Sequence, residues 1–196
     1  MVPLRAHMRK PTLLLASLLV LATTSLNQNA LAQAPSRDWQ TKLRQQMPLL
    51  GHRNWILIVD SAYPLQVSPG VEVVETGADQ LAVVSTVLNA IDHSIHISPN
   101  IYLDAELPFV PQQNFPALNA YRANLKKTLQ GRPVQSLPHE QLIAKVSEAG
   151  KDFHVLVFKT KMAMPYTSVF LQLDCKYWGA NDEENLRHAM KSPPAK

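Results

Sequence analysis

Cysteine is nearly absent: Cys175 is the only one in 196 residues, so no disulfide can form within the chain and its stability must come from packing. A lone thiol in this setting suits an apolar strand better than a nucleophile, because nothing beside it in the sequence would lower its pKa. Glycine is scarce too, with six in all. None of them builds a Walker loop, a G-x-G-x-x-G turn or a G-x-S-x-G elbow, and there is no CxxC pair. The common signatures of phosphate binding, dinucleotide binding, serine hydrolysis and dithiol exchange are therefore missing.

Long apolar runs are limited to one, Leu13 to Ala22, which is short for a bilayer span. Arg5, Arg9 and Lys10 precede it, and Ala30-Leu31-Ala32 follows as a small-x-small site. This pattern predicts a signal peptide cut after Ala32, and hence a periplasmic or secreted protein. Removing 32 of 196 residues leaves 164, enough for one domain with a real core. The net charge of +4 shrinks with the cut, because three of the 19 Lys and Arg lie before it and none of the 15 acidic residues does. With 16 bases against 15 acids the mature chain lacks the concentrated basic face that a nucleic-acid partner requires. No later stretch is apolar enough to hold it in a membrane.

What is present is an alternation of strand and helix signals. Trp39, Leu43 and Met47 recur at helical spacing after a Ser36 cap and stop at Gly51. Trp55 to Val59 is a continuous apolar run, as in a strand buried on both faces, and Asp60-Ser61-Ala62-Tyr63-Pro64 closes it. Val71 to Glu75 forms a second short strand, and Gly77-Ala78-Asp79 opens a helix with Leu81, Val84, Leu88 and Ile91 on one stripe. Ile95 to Leu103 is strand-like but broken by Pro99, and Pro108 to Pro116 is a surface connection. Ala117 to Gln130 is a helix ended by Gly131, and Ser136, Pro138 and Glu140 open another that Gly150 ends. Phe153 to Lys159 and Tyr166 to Leu173 are the last strands, and Pro193-Pro194 begins a frayed tail. The alternation predicts a single α/β domain over residues 33–190, a sheet covered by helices.

Several polar residues fall at element boundaries. Asp60 sits at the carboxyl end of the first core strand, where open α/β sheets place ligand contacts, and His52 sits just before that strand. His139 opens a helix, and Tyr166 follows Pro165 at the start of a strong strand. An imidazole can give and take a proton near neutral pH, a phenol can donate to or accept from a hydroxyl, and a carboxylate can orient either. Each also has a plain structural reading, as first-turn residue, loop residue, turn former or core aromatic. His93 and His96 form an H-x-x-H pair beside Asp92, but no second cluster completes a metal set, so they read as a solvated loop. Lys126-Lys127 reads as a solvated helix face.

Four segments, taken in order, carry a resemblance. Leu50-Gly51-His52 with Trp55 to Pro64 is similar to an "L-G-H…(apolar strand)-D-A-G-x-P" opening, and Asp79 to Ile91 to the long helix that follows a second strand. Pro138-His139-Glu140-Gln141-Leu142 resembles an "x-H-E-x-F" helix start, and Phe153 to Leu173, around Pro165-Tyr166-Thr167-Ser168, a closing segment with "P-Y-[AG]-N-I-I-L". The set resembles the D-ribose pyranase/L-fucose mutarotase family (RbsD/FucU). That resemblance implies an α/β fold in homo-oligomeric rings, pentamers or decamers, with a monosaccharide bound near subunit boundaries and interconverted without a cofactor or metal. It implies His52, Asp60 and His139 as catalytic residues, with Tyr166, Ser168 and Lys159 as substrate ligands. Ser168 stands where the family has Asn, Lys159 where it has Arg, Ala62 where it has Gly, and Lys161-Met162 where it has Gly-Glu. These departures keep a second expectation open, a carbohydrate-binding protein without catalysis on the same scaffold.

Overall fold

The structure, a computed structural model, describes residues 35–191. The expected signal peptide, its cleavage site and the tail from Pro193 lie outside the described residues. Among the described residues no helix is long and apolar enough to cross a membrane.

Six strands form one sheet. They are β1 (Trp55–Val59), β2 (Val71–Glu75), β3 (Ile97–Asp104), β4 (Val134–Leu137), β5 (Val155–Lys159) and β6 (Val169–Cys175), in the spatial order β2-β5-β1-β6-β3-β4. β2, β5 and β1 are mutually parallel, as are β3 and β4, and β6 runs antiparallel between β1 and β3. All strands but β6 therefore end at the same edge of the sheet, and β6 begins there.

Every residue of β1 is buried, because both faces of the sheet are covered. Ile56 and Ile58 point into one layer with Trp39 and Leu43 of α1 (Pro35–Gln46), Val84 and Leu88 of α2 (Gln80–Asp92), and Leu118 and Leu125 of α3 (Leu118–Thr128). Trp55, Leu57 and Val59 point the other way, onto Leu142 and Val146 of α4 (His139–Asp152). This alternation along a pleated strand lets a run with no polar residue be satisfied, each Ile or Leu contributing about 1.5–3 kcal/mol on burial. α2 starts where its sequence says it should, with the Asp79 carboxylate accepting from the Ala82 amide at 3.1 Å.

Three expectations are corrected by the structure. β3 runs straight through Pro99, which pairs with Leu173 of β6. β4 joins β3 only from Ile101 onward, so on that side no strand at Pro99 asks for the N–H that proline lacks. Ser136 does not open a helix; it lies in β4 opposite Leu103, and the helix begins after Pro138. Gly150 does not end α4, which continues to Asp152. Glycine is there because the backbone of Gly70 donates to its carbonyl at 3.0 Å and a Cβ would stand 2.8 Å from Val71 Cγ2. A further helix, α5 (Ala180–Lys191), follows β6, and none of its residues is buried.

Candidate functional site

The carboxyl edge of the sheet gathers most of the polar residues singled out in the sequence. Asp60 follows β1, Lys159 ends β5, His139 follows β4 after Pro138, and Tyr166 to Ser168 lead into β6. Asp104, the last residue of β3, joins them.

His139 is the best-held member. As the first residue of α4, it offers a backbone N–H with no partner inside the helix, and Pro138 at the cap supplies none. Both carboxylate oxygens of Glu106 accept that N–H, at 3.0 and 3.1 Å. The imidazole Nδ1 lies 2.9 Å from Asp104 Oδ1. Asp104 is buried and its side chain has no solvent exposure. Burial pushes this carboxyl above the usual carboxylate range, and the hydrogen bond from His139 only partly offsets that. With Asp104 ionised, Nδ1 carries the hydrogen and the Nε2 lone pair is left for chemistry.

Tyr166 packs its ring edge-on to His139, with centroids 5.6 Å apart at 83°. Its φ of 57° is a left-handed conformation that a non-glycine residue adopts only when its surroundings enforce it. The enforcement comes from the next residue. The Thr167 carbonyl accepts from Tyr121 Oη at 2.6 Å and from the Gln80 amide, and the Thr167 hydroxyl donates to the Met164 carbonyl at 2.8 Å. Gln80 Oε1 in turn accepts from Thr160 at 3.2 Å, so a buried amide of α2 clamps both ends of the 160–167 loop.

Asp60 Oδ1 accepts the Ala62 amide at 2.8 Å and shapes the turn after β1. Asp60 has no hydrogen bond to His139; the orienting carboxylate is Asp104. Tyr63, in the same turn, is 4 % exposed, and its hydroxyl has no hydrogen-bond partner among the described residues. Burial, then the charges of Asp104 and Asp60, push its phenol up. Asp104 Oδ2 is likewise buried without a partner. The unsatisfied Asp104 Oδ2 thus belongs to the same carboxylate that holds the imidazole. Lys159 is less free than expected: its amine donates to the Tyr63 carbonyl at 2.7 Å and braces the turn. Ser168 is 1 % exposed, at the buried start of β6.

Within the chain, His52 is not brought together with this group. It lies before β1, at the opposite edge of the sheet, where Nδ1 meets Asp174 Oδ1 at 2.8 Å. β1 alone spans roughly 16 Å, so His52 and His139 cannot act on one small molecule within a single chain. A cavity of about 460 Å³ opens at this far edge, lined in part by His52, Trp55, Lys145 and Gln172. His93 and His96 are structural: His93 Nδ1 faces the Asn89 carbonyl at 2.8 Å and His96 Nε2 the Leu50 carbonyl at 2.9 Å. Among the described residues no group of three or more His, Cys, Asp or Glu side chains is placed to hold a metal ion.

Asp104 and Glu106 were not singled out in the sequence, and Tyr63 stood there only as a turn residue. The signal for Asp104 was the one that singled out Asp60, an aspartate at the end of an apolar strand. It was hidden because Pro99 read as a break and the strand was ended one residue early.

Sheet and site together define a single-domain α/β protein with a histidine-bearing site at the carboxyl edge of a mostly parallel sheet. The chain belongs to the RbsD / FucU transport protein family, which residues 40–175 match. Among solved structures it is similar to Bacillus subtilis RbsD complexed with D-ribose, at 17 % identity and a TM-score of 0.50, over 68 % of this chain and 92 % of that one. FucU from Bifidobacterium longum aligns at 17 % identity and a TM-score of 0.47, over 68 % of this chain and 92 % of that one. The fucose mutarotase in complex with L-fucose from Streptococcus pneumoniae aligns at 15 % and 0.46, over 72 % and 97 %. No curated protein matches the sequence.

Proposed function

We propose that the protein is a cofactor-free monosaccharide mutarotase or pyranase that acts outside the cytoplasm. The observation that carries the reading is the His139–Asp104 pair, an imidazole fixed by a buried carboxylate at 2.9 Å beside the Tyr166 ring. Family membership supports a sugar as the ligand. Nε2 of His139 takes the proton of the anomeric hydroxyl while an acid protonates the ring oxygen. The bond from the anomeric carbon to the ring oxygen breaks, the open-chain aldehyde rotates, and reclosure returns both protons. Asp60 meets a sugar hydroxyl, and Tyr166 packs on the sugar's apolar face. His52, on the far edge, reaches a sugar only from a neighbouring copy, which agrees with a homo-oligomer whose sites lie at subunit boundaries.

The test is exchange NMR between sugar anomers, run over a panel of monosaccharides with purified protein. Acceleration for at least one sugar, lost in His139→Gln, is expected; no acceleration for any sugar that binds would overturn the proposal. A second reading, sugar binding without catalysis, is favoured by the commitment of Lys159 to the Tyr63 carbonyl and by the burial of Ser168. Its signature is saturable binding with no exchange, unchanged in His139→Ala.

A further inference from the structure

Among the described residues, two apolar surfaces at different places on the molecule lack a partner. One is α5. Trp178, just before it, donates from Nε1 to Glu183 Oε2 at 2.9 Å, which ties the indole to the helix face that carries Glu183. Leu186 and Met190 follow Glu183 by three and seven residues, so they share that face. Trp178, Leu186 and Met190 are 43, 41 and 62 % exposed, although this is an apolar stripe of the kind a helix buries. Asp182 and Glu183 make its first turn acidic, while Arg187, paired with Glu183 at 2.6 Å, and Lys191 lie further along.

The other surface is a groove of about 900 Å³ at the β4 edge of the sheet. Its floor is Leu103, Leu107, Leu125, Leu129 and Val134, and its rim is basic. The Arg122 guanidinium is spent on the carbonyls of Leu107 and Val110, and Arg132 on Asp92. Lys126 and Lys127 form no ion pair among the described residues. A helix with an apolar stripe and an acidic first turn thus matches an apolar trough with two lysines on its lip.

We propose that α5 of one copy, with Trp178, docks into the α3–β4 groove of a second copy. α5 is not seated on the described residues of its own chain, since none of its residues is buried there. It also lies outside residues 40–175, so the contact is not one that the family match supplies. Donor and groove are different surfaces, so the contact is heterologous and each copy both gives and receives a helix.

Sedimentation velocity of the purified protein tests this, with Leu186→Lys/Met190→Lys altering the helix and Lys126→Glu/Lys127→Glu altering the groove. All four side chains are exposed, and unchanged circular dichroism and melting temperature confirm folding. Each double variant is expected to raise the concentration needed for assembly about tenfold or more. Mixing the two variants is expected to restore pairs of unlike copies, because one has an intact groove and the other an intact helix. A wild-type protein that stays monomeric, variants that assemble like wild type, loss of assembly in only one of the two, or a mixture that forms no pairs would each overturn the proposal.

Discussion

The 2.9 Å separation of His139 Nδ1 from Asp104 Oδ1 decides which imidazole nitrogen is left for a substrate. Replacing Asp104 by Asn keeps the volume but offers an amide that can support the wrong tautomer. On the proposed function, Asp104→Asn lowers anomer exchange by roughly tenfold or more while sugar binding changes less, measured as exchange rate against occupancy. The same carboxyl also sets a pH signature in stability. Its folded pKa is raised, so its stabilising contribution is complete below the unfolded carboxylate range and is lost as pH rises through the higher folded value. Urea unfolding across that window is expected to show wild type losing stability relative to Asp104→Asn as pH rises. His139 and Asp60 were legible in the sequence because each sits at a boundary that polar chemistry favours. His52 was legible as a polar boundary residue too, and its place before the strand that Asp60 follows already puts the two at opposite edges, roughly 16 Å apart.

Among the elements, the Gly70–Gly150 approach locks α4 against the entry to β2. A Cβ on Gly70 would stand 2.3 Å from the Phe153 carbonyl oxygen and 2.7 Å from that of Gly150, and backbone atoms cannot step aside. Gly70→Ala is therefore expected to cost about 1–3 kcal/mol, read as a lower urea midpoint with unchanged slope. The apolar runs made β1, β5 and β6 legible, because a strand covered on both faces leaves little else for such residues to do. β4 was not legible. All but one of its four residues are exposed, and it exists by pairing with β3, which no local pattern announces. Tyr166 was read as the start of the last strand, yet β6 begins at Val169 and Tyr166 lies in the loop before it, clamped by Gln80 from a helix far away in sequence.

At the scale of the whole molecule, the α/β class followed from alternation of elements, while the lone antiparallel strand β6 did not, since periodicity carries no direction. The export proposal concerns the chain as the cell delivers it. Mass spectrometry of protein recovered outside the cytoplasm is expected to show an N-terminus at Gln33, and a retained Met1 would contradict it. The account's central claim is that His139 moves a sugar's proton. Its most direct test is exchange NMR on one bound monosaccharide, comparing wild type with His139→Gln at equal site occupancy. The account predicts accelerated anomer exchange in wild type and a drop of about 100-fold or more in the variant. Equal rates for the two proteins at matched occupancy would contradict it.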